Sequence, residues 1–340
     1  MLRGIQQLGR GQRIVIFFLL MVGGLALIVG LTLLLIVSSI QGEGRRSAVP
    51  LLDGVTVREL AALPDNDSFP AAVAVAPDGR IVTGSYVTGA LWLVGADGQV
   101  TEIPGSRDAI GSAAGLTFAP DGTLYIVDQR DADPRTGGGL VQRLSGDGTI
   151  STFATINDER GFVAPDDLTL DAAGNLYVSD RGRDEIWRFA SDGTGTVWWT
   201  PPQQQSIESY EPTGLAYDAA ADALIVTDGL NNIVYRVAVA DGATETLYQH
   251  GARVNPPGFD GVTLTPDGTI YIAATGQNGI ARLAGEELVY VAGLFRGASD
   301  VDYSAPNGLI VTNFDSFSLV VPAVQPRLPF ALDVVELGGG

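Results

Sequence analysis

Residues 166–181 read DDLTLDAAGNLYVSDR, and the same grammar returns in AGLTFAPDGTLYIVDQ at 114–129 and DGVTLTPDGTIYIAAT at 260–275. Each copy has a short alternating strand, a turn built on Gly, and a second strand of β-branched and aromatic residues. AAVAVAPDGRIVTGSY from Ala71 and TGLAYDAAADALIVTDG from Thr213 repeat it, and SDVDYSAPNGLIVTNF from Ser299 follows in phase. In the unit beginning at Ala114, LVQRLS, a Gly-Asp-Gly turn and ISTFAT add two further strands. Asp-Gly turns suit tight antiparallel hairpins because glycine accepts positive φ. Repeats of this length must be recognised before strands are assigned singly.

Four antiparallel strands repeated six times escape large exposed edges by radial closure, so the pattern predicts an all-β, six-bladed β-propeller. The last repeat lacks a fourth strand. PFALDVVELG near the C-terminus serves as its third, and DGVTVREL at 53–60 is expected to return as its outermost.

Ahead of the repeats, Ile14 to Val37 carries no charge over 24 residues. As a helix it would span about 36 Å, enough for a tilted crossing of a bilayer. The apolar core of a cleavable signal is only ~7–15 residues long, so this segment reads as an uncleaved anchor. Arg3, Arg10 and Arg13 precede it without an acid, which assigns the N-terminus to the cytoplasm and the remainder to the extracytoplasmic side. The expected organisation is 1–13 cytoplasmic, 14–37 transmembrane, 38–52 linker and 53–340 propeller.

The chain of 340 residues is 46% hydrophobic and 17% charged, with 44 glycines and 18 prolines, as suits a large core that turns often. All its basic residues are arginine, and the formal net charge is −19. Phosphate backbones need clustered cations, so nucleic acid is excluded as an expected partner. The absence of cysteine removes disulfides and thiolate metal sites.

AGNLYVSDRGRDEIWRF and DALIVTDGLNNIVYRV resemble NHL repeats. The arrangement after the linker is similar to the family of six-bladed propellers that includes the senescence-marker protein, gluconolactonase and luciferin-regenerating enzyme. The first strand of each blade then lines the axial tunnel, and its leading positions form a ring: Ala71, Ala114, Asp166, Thr213, Asp260 and Ser299. Asp167 takes a place that is Gly115, Gly214 and Gly261 in other blades, and is expected to be a turn residue.

The resemblance implies a divalent cation on the axis, held by Glu from the first blade, Asn from the third and fourth, and Asp from the fifth. Asp260 matches the last of these. Asp166 stands for one Asn, while Thr213 replaces the other and Ala71 replaces the Glu. A hard cation such as calcium seeks about 6–8 oxygens, so these departures weigh toward a metal-free polar ring. Asp166, Thr213 and Asp260 with calcium or another divalent cation remain the alternative.

The single histidine, His250, is the candidate general base, on a loop entering the fifth blade. Arg253, with Arg107, Arg160, Arg181, Arg183 and Arg296, is expected on the same open face as an anion clamp or as surface ion pairs. Of Trp198 and Trp199, alternation buries one and exposes the other. Asp128, Asp180 and Asp228 end second strands and are read as structural. The apolar stretch 316–329 suggests a lid or an adhesive patch.

Two functions compete. The leading reading is a membrane-anchored extracytoplasmic propeller binding a small molecule or protein partner through Asp166, Thr213, Asp260, Ser299 and Arg253. The alternative is a metal-dependent lactonase or ester hydrolase.

Overall fold

The computed structural model describes residues 9–41, 47–133, 136–205, 207–251, 254–321 and 324–338. Two compact units result, one of Met1–Arg45 with Phe317–Arg327 and one of Arg46–Ser316 with Leu328–Gly340.

In the first unit a long helix, α1, runs over Arg10–Gln41. Its segment Arg10–Leu34 has a mean hydropathy of 3.0, and no residue of its apolar window is buried, so it is long and apolar enough to cross a membrane. The stretch proposed as a lid forms a short helix over Ser316–Val320, with Phe317 and Val320 exposed.

The second unit is a ring of six antiparallel sheets. In the third blade, strands Pro165–Leu170, Leu176–Asp180, Glu185–Phe189 and Gly195–Trp199 follow in order. The fourth repeats this with Pro212–Asp218, Ala223–Asp228, Ile233–Ala238 and Thr244–Gln249. The sixth blade takes Val301–Ser304, Gly308–Thr312 and Ala331–Glu336 from the C-terminal end and is completed by Thr56–Ala62. Thr56 opposes Glu336 and Ala62 opposes Ala331, so the two ends of the propeller are joined through backbone hydrogen bonds. One feature was not expected. Val49–Pro50, in the stretch read as linker, pairs with Gly293 and Ala292 and adds a fifth strand to the fifth blade.

The apolar core lies between blades. Val82 and Leu91 of the first blade pack with Leu116 and Ile126 of the second; Tyr177 and Ile186 of the third pack with Val226 and Tyr235 of the fourth. The sixth blade meets the first through Leu332, Val334, Val73 and Ile81. Because apolar side chains are spent on these radial contacts, the axis is left to short and polar residues. Trp199 is buried and donates its indole N–H to Thr244, while Trp198 lies half-buried edge-on to Tyr177, so neither ring is offered as a flat platform.

Candidate functional site

A hoop of hydrogen bonds encircles the mouth of the tunnel. Tyr86 at the end of a second strand donates its hydroxyl to Gln129 Oε1 (2.9 Å), and Gln129 Nε2 donates to the carbonyl of Pro165 (2.6 Å). Ser179 donates to the Thr213 carbonyl (2.6 Å), Thr227 to that of Asp260 (2.7 Å), and Thr275 to that of Ala298 (2.6 Å). Ser299 closes the circuit onto the Ala71 carbonyl (2.7 Å). Each bond steps from one blade to the next. Two ring residues expected to bind ligand are thereby committed to structure: Ser299 through its hydroxyl, and Thr213, whose Oγ1 lies 3.0 Å from Thr227 Oγ1. Both are buried.

Asp166 reaches the axis as expected, and Asp167 departs from the expected pattern for one reason. Pairing of the first two strands of the third blade slips between Pro165 and Leu168, a β-bulge that breaks the alternation of side chains across the sheet. Both carboxylates consequently reach the axial side. Asp167 is not a turn residue: it lies in a strand, and it accepts the backbone N–H of Leu215 in the next blade (2.7 Å) and of Leu168 (2.8 Å). Its counterpart across the ring, Asp300, accepts the N–H of Val73 (2.8 Å), and Asp302 accepts that of Val75 (2.7 Å). All three line a cavity of about 260 Å³ along the tunnel. Burial is the main cause raising each of these carboxyls, Asp302 to about 6 and Asp300 to about 7, with Asp167 also well above the ordinary range.

Glycine at 261 has a packing cause. A Cβ there would overlap Asp300 Oδ1 and come within 2.8 Å of the Asp300 Cα, so only glycine lets the fifth and sixth blades close at this level.

Nearer the mouth, Arg181 follows the second strand of the third blade, and its Nε lies 3.7 Å from Asp166 Oδ1. Asp166 has a side-chain exposure of 17% and Arg181 of 36%. Asp166 chiefly, and then Asp260, hold the guanidinium in its charged form. Asp260 is pushed well above the ordinary carboxylate range by burial and then by the Asp166 charge, with Arg181 opposing. Glu211 is raised by burial and lowered by Arg181. No hydrogen bond joins the Arg181 side chain to a described residue.

The other expected site residues are elsewhere or occupied. His250 Nδ1 lies 3.1 Å from the Tyr248 hydroxyl and Nε2 3.4 Å from the Val254 carbonyl, so local loop contacts engage both ring nitrogens. Arg253 falls outside the described residues. Arg107 pairs with Asp65 and Glu102, Arg183 with Asp158 and Glu185, and Arg160 and Arg296 donate to the carbonyls of Gly182 and Pro329. Asp128 accepts the N–H groups of Gly111, Ser112 and Arg130, and Asp180 those of Val163, Ala164 and Gly182. Asp228 accepts that of Asn231. Each of these aspartates therefore holds loop backbone.

The divalent cation implied by the resemblance does not fit these side chains. The Thr213 hydroxyl is engaged by Thr227, Asp166 faces a guanidinium, and Ala71 brings no ligand. Among the described residues no three His, Asp or Glu side chains group as metal ligands. What the sequence reading missed is the second ring, Tyr86, Gln129, Arg181, Gly229, Thr275 and Phe314. The same repeat alignment, followed to the residue after Ser85, Asp128, Asp180, Asp228, Ala274 and Asn313, would have found it.

No family model matches the chain, and no curated protein matches it. Solved structures do. A gluconolactonase from Xanthomonas campestris is similar over 86% of this chain and 99% of its own, at 16% identity and a TM-score of 0.62. An inactive virginiamycin B lyase from Staphylococcus aureus, solved with quinupristin, is similar over 83% of this chain and 99% of its own (15% identity, TM-score 0.58). An aldose sugar dehydrogenase from Streptomyces coelicolor, in its PQQ-bound form, covers 85% of this chain with 99% of its own (15% identity, TM-score 0.58). A lactonase, a lyase and a dehydrogenase on one scaffold mean that the likeness establishes architecture and leaves chemistry to the residues. The chain therefore shares the β-propeller fold of the gluconolactonase and virginiamycin B lyase structures.

Proposed function

We propose that the tunnel mouth is a small-molecule site for a neutral carbonyl compound, a lactone or other ester, and that the reaction is its hydrolysis without a metal. The observation that carries this is the Arg181 guanidinium, half-buried beside Asp166 and without a hydrogen bond to a described residue. Its N–H groups are donors suited to a carbonyl oxygen on which negative charge develops. Nearby Asp166, Asp260 and Glu211 disfavour a carboxylate or phosphate ligand, since like charges would face each other at short range.

In this scheme water attacks the carbonyl carbon while Asp166 accepts its proton, and Arg181 stabilises the oxyanion. The bond to the alkoxy oxygen then breaks. Asp260, whose carboxyl holds its proton above the ordinary range, protonates the departing oxygen. The gluconolactonase neighbour supports this reaction class by analogy only. The test is a panel of lactones and aryl esters offered to the full-length chain in detergent. Arg181→Met should lower kcat/KM by about 10²-fold or more. Hydrolysis unaffected by Arg181→Met and Asp166→Asn would overturn the assignment.

Binding without turnover is the second reading, favoured because the one histidine is tied to Tyr248 and Val254. It predicts ligand-induced thermal stabilisation with no product. We also propose that α1 anchors the propeller on the extracytoplasmic side; its exposed apolar surface and the arginines before it support this. The chain should resist alkaline extraction, and external protease should reach the propeller. A soluble form beginning near Ser38 would instead identify a cleaved signal.

A further inference from the structure

We infer that Arg181 is the resident cation of the axial ring, taking the charge-balancing place that a divalent ion would hold, so that the arginine and an ion are mutually exclusive here. The inference is independent of the proposed hydrolysis, because it is read from ion binding and stability alone.

Three observations carry it. Asp166 and Asp260 stand at equivalent first-strand positions of the third and fifth blades, and the cation facing both is a side chain of the same chain. Its 3.7 Å approach to Asp166 puts a fixed positive charge beside the carboxylate that any axial ion would have to use. The ring hydroxyls that might complete a coordination shell are engaged, that of Thr213 by Thr227 in its own blade and that of Ser299 by the neighbouring blade. An arriving divalent ion would therefore meet one paired carboxylate, a short supply of oxygens and a like charge. Removing the guanidinium reverses two of these conditions at once: Asp166 loses its partner, and the like charge leaves the mouth.

The equivalent positions in the other blades sharpen the point. They hold Tyr86, Gln129, Gly229, Thr275 and Phe314, all uncharged, so Arg181 alone supplies a cation in that ring. Tyr86 and Gln129 are bonded to each other and onward to Pro165, which leaves Arg181 to balance the carboxylates.

The experiment follows the thermal midpoint of the full-length chain in detergent, in chelator and in millimolar calcium. The wild-type protein should give the same midpoint in both. Arg181→Met should melt lower in chelator, and calcium should raise it by about 5 °C through binding to the native state alone. Arg181→Lys keeps the charge and should remain indifferent to calcium. Combining Arg181→Met with Asp166→Asn should recover stability in chelator and abolish the calcium response. If Arg181→Met does not fold, Arg181→Gln carries the same comparison with a polar side chain of similar reach. A calcium- or chelator-sensitive wild type would overturn the inference, as would a neutral variant at 181 that folds and ignores calcium.

Discussion

Lowering the pH from about 8 to 5 should make this protein more stable, and Asp302 shows why. Its carboxylate lies in the tunnel wall, accepting the N–H groups of Val75 (2.7 Å) and Tyr303 (2.7 Å) and the Thr263 hydroxyl (3.1 Å). Burial outweighs these bonds and raises the group from 3.8 to about 6. A carboxyl whose folded value exceeds its unfolded value binds its proton more tightly in the native state. Protonation therefore favours folding: the ionised, desolvated form is a standing cost above pH 7, and the cost is relieved as pH falls toward 4. A rise of this size corresponds to roughly 3 kcal/mol for Asp302. For a propeller of this length that is about 5 °C in Tm. Asp300, raised to about 7, adds to the same trend over a window reaching slightly higher. Exposed turn acids such as Asp121 and Asp147, held below the ordinary value by the N–H groups of Thr123 and Thr149, act in the opposite sense. They lose their contribution only below pH 4, so the measurement belongs above it. Melting curves at pH 8 and pH 5 should show the wild-type midpoint rising by at least about 5 °C. At pH 5 only about half of that 3 kcal/mol is recovered, so in Asp302→Asn the rise should be smaller by about 2–3 °C. A wild-type midpoint that is flat or falls between these values, or an Asp302→Asn protein with an undiminished rise, would refute the reasoning.

The remaining expectations concern closure and the hoop. Removing the closing strand Thr56–Ala62 should expose the edge of Ala331–Glu336 and cost several kcal/mol, seen as a lowered melting temperature; an unaltered midpoint would contradict closure through that strand. Gly261→Ala should destabilise by about 2 kcal/mol or more, because the added methyl meets the Asp300 backbone, and denaturant titration would reveal it. Thr213→Val should cost about 1 kcal/mol in the same assay yet leave ligand affinity unchanged, since its hydroxyl serves the contact with Thr227. Loss of ligand binding with intact stability would return Thr213 to the site.

The fold was legible because its signals are local and repeated. Alternating strands, Asp-Gly turns and a unit recurring six times need no knowledge of distant contacts, and the missing fourth strand of the last repeat already called for the segment near residue 56. The uncharged run at 14–37 was equally plain, since hydropathy is a property of composition. The site was only partly legible. Counting positions placed Asp166 and Asp260 on the axis, but a count assumes that side chains alternate. The bulge between Pro165 and Leu168 suspends that rule and brings Asp167 to the tunnel as well. Nor does the sequence disclose that the hydroxyl of Thr213 is held by Thr227 and that of Ser299 by the first blade, or that one arginine among several on the expected face meets Asp166 while Arg107 and Arg183 find partners of their own. Those outcomes depend on which blade lies beside which, and at what angle the ring closes. Charge compensation at the axis is a property of side chains brought together from separate strands, so only the tertiary structure decides it.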